Sequence, residues 1–264
     1  MWFLFILSCH AQSPADGIMA RVAANLEHGS ELRNSYVYTQ KLHTRLLRTN
    51  SRLAREERRE YTVTPTGDST EKKLVRLEGK YEKNKQLHAY TGPDATDRHS
   101  GLDDVIVQVL ADKFVTNEKS KDGIDMDLFP FLPKDLPHYK FTFLKTEIYR
   151  DRQIHRIAFE GKTKDKPWAG ETLIDAEDLH PLSIQTKLNF KMPLVVRTML
   201  GTNLRQTGFS LTYTRLAPGV WFPATYGTEM RLDVLFGYKR VIAMSMESSN
   251  FLKVAADSTI TFVK

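Results

Sequence analysis

The segment from Trp168 to Phe190 (WAGETLIDAEDLHPLSIQTKLNF) limits the possible folds more than any other part of the chain. It reads as two antiparallel strands joined by a short acidic turn. In the second strand apolar residues share one side and polar residues take the positions between them: Leu182, Ile184, Leu188 and Phe190 against Ser183, Gln185, Lys187 and Asn189. A period of two is typical of a strand with one buried and one solvated face. The segment therefore predicts a hairpin with one apolar face.

The same alternation recurs along the chain. After GVWFP (Gly219–Pro223), a second apolar face comprises Phe222, Ala224, Tyr226, Met230, Leu232, Val234 and Phe236. Further strands are predicted at Tyr36–Thr49, Arg52–Thr66, Lys72–Lys83, Tyr139–Ile148, Gln153–Gly161, Gly208–Leu216, Lys239–Glu247 and Ser258–Val263. Helices are predicted at Pro14–Arg33 and from Ser100 to Val115, and Leu87–Ser100 is predicted to be an irregular connection.

The size and composition suit one folded domain that is mainly β, with 264 residues of which 41% are hydrophobic and 27% charged. The net charge is +6, but Lys and Arg alternate with Glu, as in RLAREERRE (Arg52–Glu60). Mixed charge favours the solvated face of a strand over a nucleic-acid interface. We therefore expect no nucleic-acid partner, although a basic surface permits weak attraction to anionic lipid headgroups.

The N-terminal residues resemble a secretory signal, with an apolar run from Met1 to Leu7 followed by small residues. Cleavage after Ala11 would remove residues 1–11 and leave 12–264 as the single domain. Alternatively, Ile6-Leu7-Ser8-Cys9 resembles a bacterial lipobox, in which Cys9 becomes the acylated first residue. Cys9 is the only cysteine, so no internal disulfide can form. The chain is expected to be exported, either free or tethered to a membrane through Cys9.

The motif WxGExxIDxxxxxP at Trp168–Pro181, together with GVWFP at Gly219–Pro223, resembles the bacterial lipoprotein-carrier superfamily of LolA/LolB type and related outer-membrane lipoprotein-sorting proteins. The resemblance implies a strongly curved antiparallel sheet that forms an incomplete barrel, covered by two or three helices. It also implies a monomer in the periplasm or cell envelope that binds a lipid or an acylated protein near the membrane surface. The arginine with which some carriers latch their lid has no assignable position here.

An apolar cavity of this kind would be lined by the inward side chains of the strands. The predicted wall is Phe159, Leu173, Ile184, Leu188, Phe209, Leu211, Tyr213, Phe222, Tyr226 and Met230. The same residues could equally fill a solid core, and the sequence does not separate the two. The apolar segment after the hairpin is predicted to act as a gate, with Arg197 suited to an anionic headgroup: Met192, Leu194, Val195, Arg197 and Met199.

Catalytic chemistry finds little support in the sequence. The histidines lack the spacing of a metal site, and neither a GxSxG elbow nor a Gly-rich phosphate loop occurs. Glu171 and Asp175 could pair on one strand face, but surface acids at a hairpin rim explain them more simply. We therefore expect a non-enzymatic lipid-binding or lipid-carrying protein with no metal and no cofactor. The alternative is an envelope structural or sensory module of the same fold with a filled core.

Overall fold

The structure is a computed structural model that describes residues 13–66, 69–92, 101–115, 131–163, 166, 168–188, 202–234 and 237–254. The signal-like segment, Cys9, the proposed gate (Met192–Met199) and the strand predicted at Ser258–Val263 lie outside the described residues.

Within the described residues, eleven strands form one antiparallel sheet whose edges do not meet, in the order β4-β3-β2-β1-β11-β10-β9-β8-β7-β6-β5. The first four strands and the last seven each form a meander, and the two meanders join where β1 pairs with β11. The bounds are β1 Tyr36–Leu47, β2 Leu53–Thr66, β3 Ser69–Lys83, β4 Gln86–Thr91, β5 Tyr139–Tyr149, β6 Arg152–Gly161, β7 Trp168–Asp175, β8 Pro181–Leu188, β9 Thr202–Ala217, β10 Val220–Val234 and β11 Lys239–Lys253.

Two longer helices, α1 (Pro14–Arg33) and α2 (Leu102–Val115), lie on one face of this sheet, which we call the inner face. Alternate residues of β1 show the division, because Leu42 and Leu46 are buried on the inner face while Lys41 and Arg45 are exposed on the outer face. The predicted fold class, a mainly β incomplete barrel with a few helices, is confirmed.

Helix α1 begins where the sequence predicts because its first turn is capped from both directions. The Ser13 hydroxyl accepts a hydrogen bond from the Asp16 backbone N–H (3.2 Å), and the Asp16 carboxylate accepts one from the Ser13 N–H (3.3 Å). Pro14 occupies the first turn, where the missing N–H costs nothing. The apolar side of α1 packs on β5 and β10 and forms one large cluster with the inner face through Ala15, Met19, Val22 and Leu26.

Helix α2 covers a different part of the inner face, over β1 and β2. Its Val107 forms a second, smaller cluster with Leu46, Ala54 and Ile242. Within the described residues, no helix combines the length and apolarity that crossing a membrane would require.

The predicted hairpin at Trp168–Phe190 is confirmed as β7 and β8, with Ile184 buried and Gln185 and Lys187 exposed. One strand was missed. Gln86–Thr91, assigned mostly to an irregular connection, forms β4 at one edge of the sheet. The reason is that only Tyr90 in this strand is buried, so no alternation marks it.

The turn between β7 and β8 brings the two sequence motifs together and fastens α1 to them. Trp221 of GVWFP donates its indole N–H to the Asp178 carboxylate (3.0 Å), and its ring stacks on His180 at a centroid distance of 5.1 Å. From α1, Asn25 donates to the Asp178 carbonyl (2.9 Å) and Arg33 donates to the Trp221 carbonyl (2.8 Å). The motif residues therefore join a turn, a strand and a helix.

His180 is held neutral at the centre of this junction. Its side chain is 2% exposed, and its Nδ1 donates to the Pro181 carbonyl (3.0 Å), which fixes the proton on Nδ1. Burial lowers the pKa of His180 to about 3; the Pro181 hydrogen bond opposes this, Arg33 adds to it and Asp175 opposes it. The unfolded chain can bind a proton below its ordinary pKa of about 6.5 while the folded protein cannot.

We therefore predict that folding stability falls as pH decreases from the unfolded pKa of His180 towards the folded one. A histidine that is fully buried and neutral lowers the unfolding free energy by at most about 1.4 kcal/mol for each pH unit of this decrease. The substitution His180→Phe keeps an aromatic ring on Trp221 but removes the titration. Urea unfolding at about pH 7 and about pH 5 should show about 2 kcal/mol less acid destabilisation in the variant than in the parent.

The matched control is His28→Gln, which removes a histidine that is exposed on α1 and lies outside the junction. The acid destabilisation attributed to His180 should persist in this variant. An acid dependence in His180→Phe equal to that of the parent would show that His180 is not the group responsible.

Candidate ligand-binding site

The inner face under α1 is a continuous apolar wall. It brings together seven of the ten residues predicted to line a cavity, all of them buried: Phe159, Ile184, Phe209, Leu211, Tyr213, Phe222 and Tyr226. They come from four strands, β6, β8, β9 and β10, because alternation places one inward side chain at every second position.

The other three predicted wall residues lie elsewhere. Leu188 is half-buried at the end of β8, opposite Trp168, which packs against the large cluster. Met230 packs against the smaller cluster beneath α2. Leu173 pairs with Arg156 and Ser183 and does not belong to the large cluster, whereas its neighbour Ile174 does.

Aromatic rings dominate the wall. Trp168 meets Phe209 edge to face at 5.1 Å, and Phe209 stacks on Tyr226 at 5.8 Å. Phe222 meets Tyr36 and Tyr38 edge to face at 5.3 and 5.6 Å. Burial raises the pKa of Tyr226 far above its usual value, so this hydroxyl stays neutral. The wall therefore offers large, uncharged surfaces.

The inner face under α2 carries a buried ionic network instead. Arg55, Glu57 and Arg59 of β2 are 1%, 1% and 7% exposed. Arg55 binds Asp104 of α2 (2.6 Å) and donates to the Tyr90 hydroxyl (2.9 Å).

Further hydrogen bonds complete this network. The Tyr90 hydroxyl donates to Glu57 (2.6 Å), and the other oxygen of Glu57 accepts from Arg59. Arg59 also donates to Gln108 of α2 (3.0 Å). Two arginines face two carboxylates, so the network is neutral overall and ties α2 to the sheet.

The network depends on a close approach between β3 and β4. Tyr90 reaches Glu57 by passing over Gly79, where an added Cβ would lie 2.3 Å from the Tyr90 ring. Burial acts to lower the pKa of Arg59, but the Glu57 carboxylate holds that pKa above its usual value. Arg59 therefore remains charged although it is buried.

The prediction that Arg52–Glu60 lies on a solvated strand face is wrong for Arg55, Glu57 and Arg59. These residues share a face with Tyr61 and Val63, which are buried at the other end of β2. Extending the period of two from Val63 and Tyr61 back to Arg55 was the signal that could have placed them inside. It was missed because charged residues are rarely buried unless they are paired.

The β7–β8 turn gathers three carboxylates, Asp175, Glu177 and Asp178, within reach of a single metal ion. Their hydrogen bonds explain the cluster without an ion. Asp175 accepts from the backbone N–H groups of Glu177 and Asp178 (3.0 and 2.8 Å) and pairs with Arg152. Burial acts to raise the pKa of Asp175, but Arg152 and these N–H groups hold it below the usual value.

The two acids that a catalytic pairing would have required are separately occupied. Glu171 accepts from Arg156 (3.1 Å), whereas Asp175 pairs with Arg152. Both therefore serve as ion-pair partners at the rim of the hairpin.

No protein-family model matches the chain, and no curated protein sequence matches it. Among solved structures, the chain is similar to an outer-membrane lipoprotein-sorting protein domain from Vibrio parahaemolyticus, at 10% identity over 91% of this chain and 95% of that one, with a TM-score of 0.37. It is also similar to a DUF1329 family protein from Desulfovibrio piger, at 11% identity over 94% of this chain and 96% of that one, with a TM-score of 0.39.

Lipovitellin matches 85% of this chain with 26% of its own length, at 11% identity and a TM-score of 0.35. Such low identities and TM-scores say nothing of ligand or activity, so function has to be inferred from the residues of this chain.

The ionic network predicts that neutralising a buried carboxylate lowers the unfolding free energy much more than neutralising an exposed one. Glu57→Gln keeps the shape of the side chain but leaves Arg55 and Arg59 facing only one carboxylate, so we expect a loss of about 3–5 kcal/mol in unfolding free energy. Glu78→Gln is the control, because Glu78 pairs with Arg76 (2.8 Å) on the exposed outer face, where such pairs contribute about 0–1 kcal/mol. Urea unfolding at neutral pH measures both, and equal losses would contradict the assigned role of Glu57.

Proposed function

We propose that this chain is a non-enzymatic protein of the periplasm or cell envelope that binds or carries a lipid, or the acyl chains of a lipoprotein, against its apolar inner face. In this proposal residues 12–264 act as one monomeric domain after removal or acylation of the N-terminal segment. The segment containing Arg197 gates the interior, and Cys9 is the point of any membrane tether.

The observation that carries the proposal is the apolar wall itself. Ligand sites for apolar molecules are concave, lined mainly by hydrophobic and aromatic side chains, and often lie in the mouths of β-barrels. The wall has this composition and spans several strands of an open sheet. Burying an acyl chain there would contribute about 0.8 kcal/mol per methylene before the cost of ordering the chain, which suffices for tight binding without chemistry.

The ionisable groups of the inner face support binding in preference to catalysis. Arg55 is paired with Asp104, and Arg59 with Glu57, in a neutral network beneath α2. Groups that neutralise each other and are shielded from water suit the attachment of a helix better than proton transfer.

A second candidate function is an envelope structural or sensory module that binds a partner protein through an edge strand. It is favoured by the edge strand β5, which is exposed on both faces after Phe141. This part of the strand displays Phe143, Leu144 and Ile148, the last at 71% exposure. Unpaired edges of this kind can accept an extended peptide as an additional strand. In this reading the inner wall packed against α1 is a filled core.

Lipid uptake separates the two functions. We expect native mass spectrometry and lipid extraction of the protein from a bacterial envelope fraction to reveal a bound lipid, and the delipidated protein to take up a fluorescent fatty acid. Leu188→Asp places a charge on the half-buried end of the wall and should weaken uptake by about tenfold or more, because an unpaired charge beside an acyl chain is poorly solvated.

Lys187→Asp is the matched control, since Lys187 adjoins Leu188 but is exposed on the outer face. It should leave uptake within about twofold of the parent, and circular dichroism should confirm that both variants fold. A parent protein that carries no lipid and takes up no fatty acid would exclude the lipid-binding function and leave the edge-strand module.

A further inference from the structure

One end of the sheet collects basic side chains. Neighbouring antiparallel strands alternate in direction, so β1, β3, β8 and β10 all finish at the same end. Two neighbouring clefts of about 440 and 280 Å³ open there and share Arg48. We call the charged residues that line them the basic rim: Arg48, Arg52, Lys85, Arg231, Lys239 and Arg240, with Glu82, Glu229 and Asp233.

Some of these cations are already neutralised. Glu82 binds both Arg48 (2.6 Å) and Arg52, and Arg240 binds Asp103 of α2 (2.8 Å). Counting Asp103, six cations face four carboxylates, which leaves the basic rim with an excess of two positive charges.

Three cations of the basic rim are available to a ligand. Lys85, Arg231 and Lys239 are exposed and form no ion pair with any residue in the described part of the chain. The larger cleft adds the side chains of Thr49 and Ser51, whose hydroxyl groups can donate hydrogen bonds. Several cations with adjacent hydroxyl donors are the groups that recognise a phosphate.

One cluster at the opposite end of the sheet has an acidic excess. There the β7–β8 turn carries Asp175, Glu177 and Asp178, which face Arg152 and Arg215. An anionic surface would attract the uncompensated cations of the basic rim and orient the molecule with this rim towards it.

We propose that the basic rim is a docking surface for phosphate headgroups of an anionic lipid bilayer. Leu188, at the half-buried end of the apolar wall, finishes β8 at this same end. Docking would therefore bring the Leu188 end of the wall to the source of the acyl chains. This orientation accompanies the proposed function, but the charge of the rim can be tested separately from lipid uptake.

The test is sedimentation of the full-length chain with vesicles of phosphatidylcholine, either pure or with about 30% phosphatidylglycerol, at low and at moderate salt. Pure phosphatidylcholine measures any insertion of the apolar N-terminus. We expect stronger binding to the anionic vesicles, which weakens as salt increases. Neutralising Lys85, Arg231 and Lys239 together to Ser should reduce this binding by on the order of 100-fold, since each basic residue contributes about fivefold.

The control variant removes three exposed cations from the opposite end of the sheet, Lys73, Arg150 and Lys253, and should bind the anionic vesicles within about threefold of the parent. Equal losses in the two variants would mean that net charge alone attracts the vesicles and would overturn the assignment to the basic rim. Equal binding of the parent to both kinds of vesicle would overturn it as well.

Two further measurements separate the alternatives. Saturable calorimetric binding of glycerol phosphate, without binding to anionic vesicles, would identify a soluble phosphate compound as the ligand and overturn the membrane assignment. Uptake of a fluorescent fatty acid without vesicles should be unchanged in the basic-rim variant. Loss of vesicle binding with uptake intact supports the rim as a docking surface, whereas a parent protein that fails only in uptake refutes the lipid-binding function alone.

Discussion

The pairing of β1 with β11 is the contact on which the architecture depends. Strands β1–β4 and β5–β11 are separate meanders, and in the described residues this ladder alone joins them into one sheet. It places Leu42 beside Met246 and extends the inner face from the ionic network of β2 to the aromatic wall of β9 and β10. An irregularity between Val37 and Thr39 shifts the register near one end. There Phe251 packs against Phe222, at a centroid distance of 4.7 Å.

The two helices are attached to this face by different kinds of interaction. Helix α1 buries apolar side chains against the wall and is fixed by hydrogen bonds from Asn25 to the β7–β8 turn and from Arg33 to Trp221. Helix α2 combines a small apolar cluster with two polar contacts to arginines of β2. Asp104 forms an ion pair with Arg55, and Gln108 accepts a hydrogen bond from Arg59. Apolar contacts tolerate sliding, whereas paired charges out of water demand one geometry. The α2 side of the interior is therefore the more narrowly specified of the two.

Local sequence patterns predicted most of the secondary structure, whereas features that depend on contacts between distant parts of the chain were missed. Helix α1 and the β7–β8 hairpin were placed accurately, because a proline in the first turn of a helix and a period of two in a strand are properties of a few neighbouring residues. Strand β4 has no such pattern, since it pairs at an edge and buries only Tyr90. Leu173 was assigned by its hydrophobicity, although its neighbours Thr172 and Ile174 occupy the inward positions. The burial of Arg55 required knowledge that Asp104, far along the chain, lies above it.

The free edges of the sheet have a consequence for the size of the interior. In a closed barrel, strand number and stagger fix the radius, and widening it would require the breaking of a whole ladder of hydrogen bonds. Here β4 and β5 do not pair with each other, so a change of twist can spread the edges while every existing ladder stays intact. A ligand bound as proposed could then vary in cross-section, because elastic deformation of the sheet would accommodate it at a cost distributed over many strands.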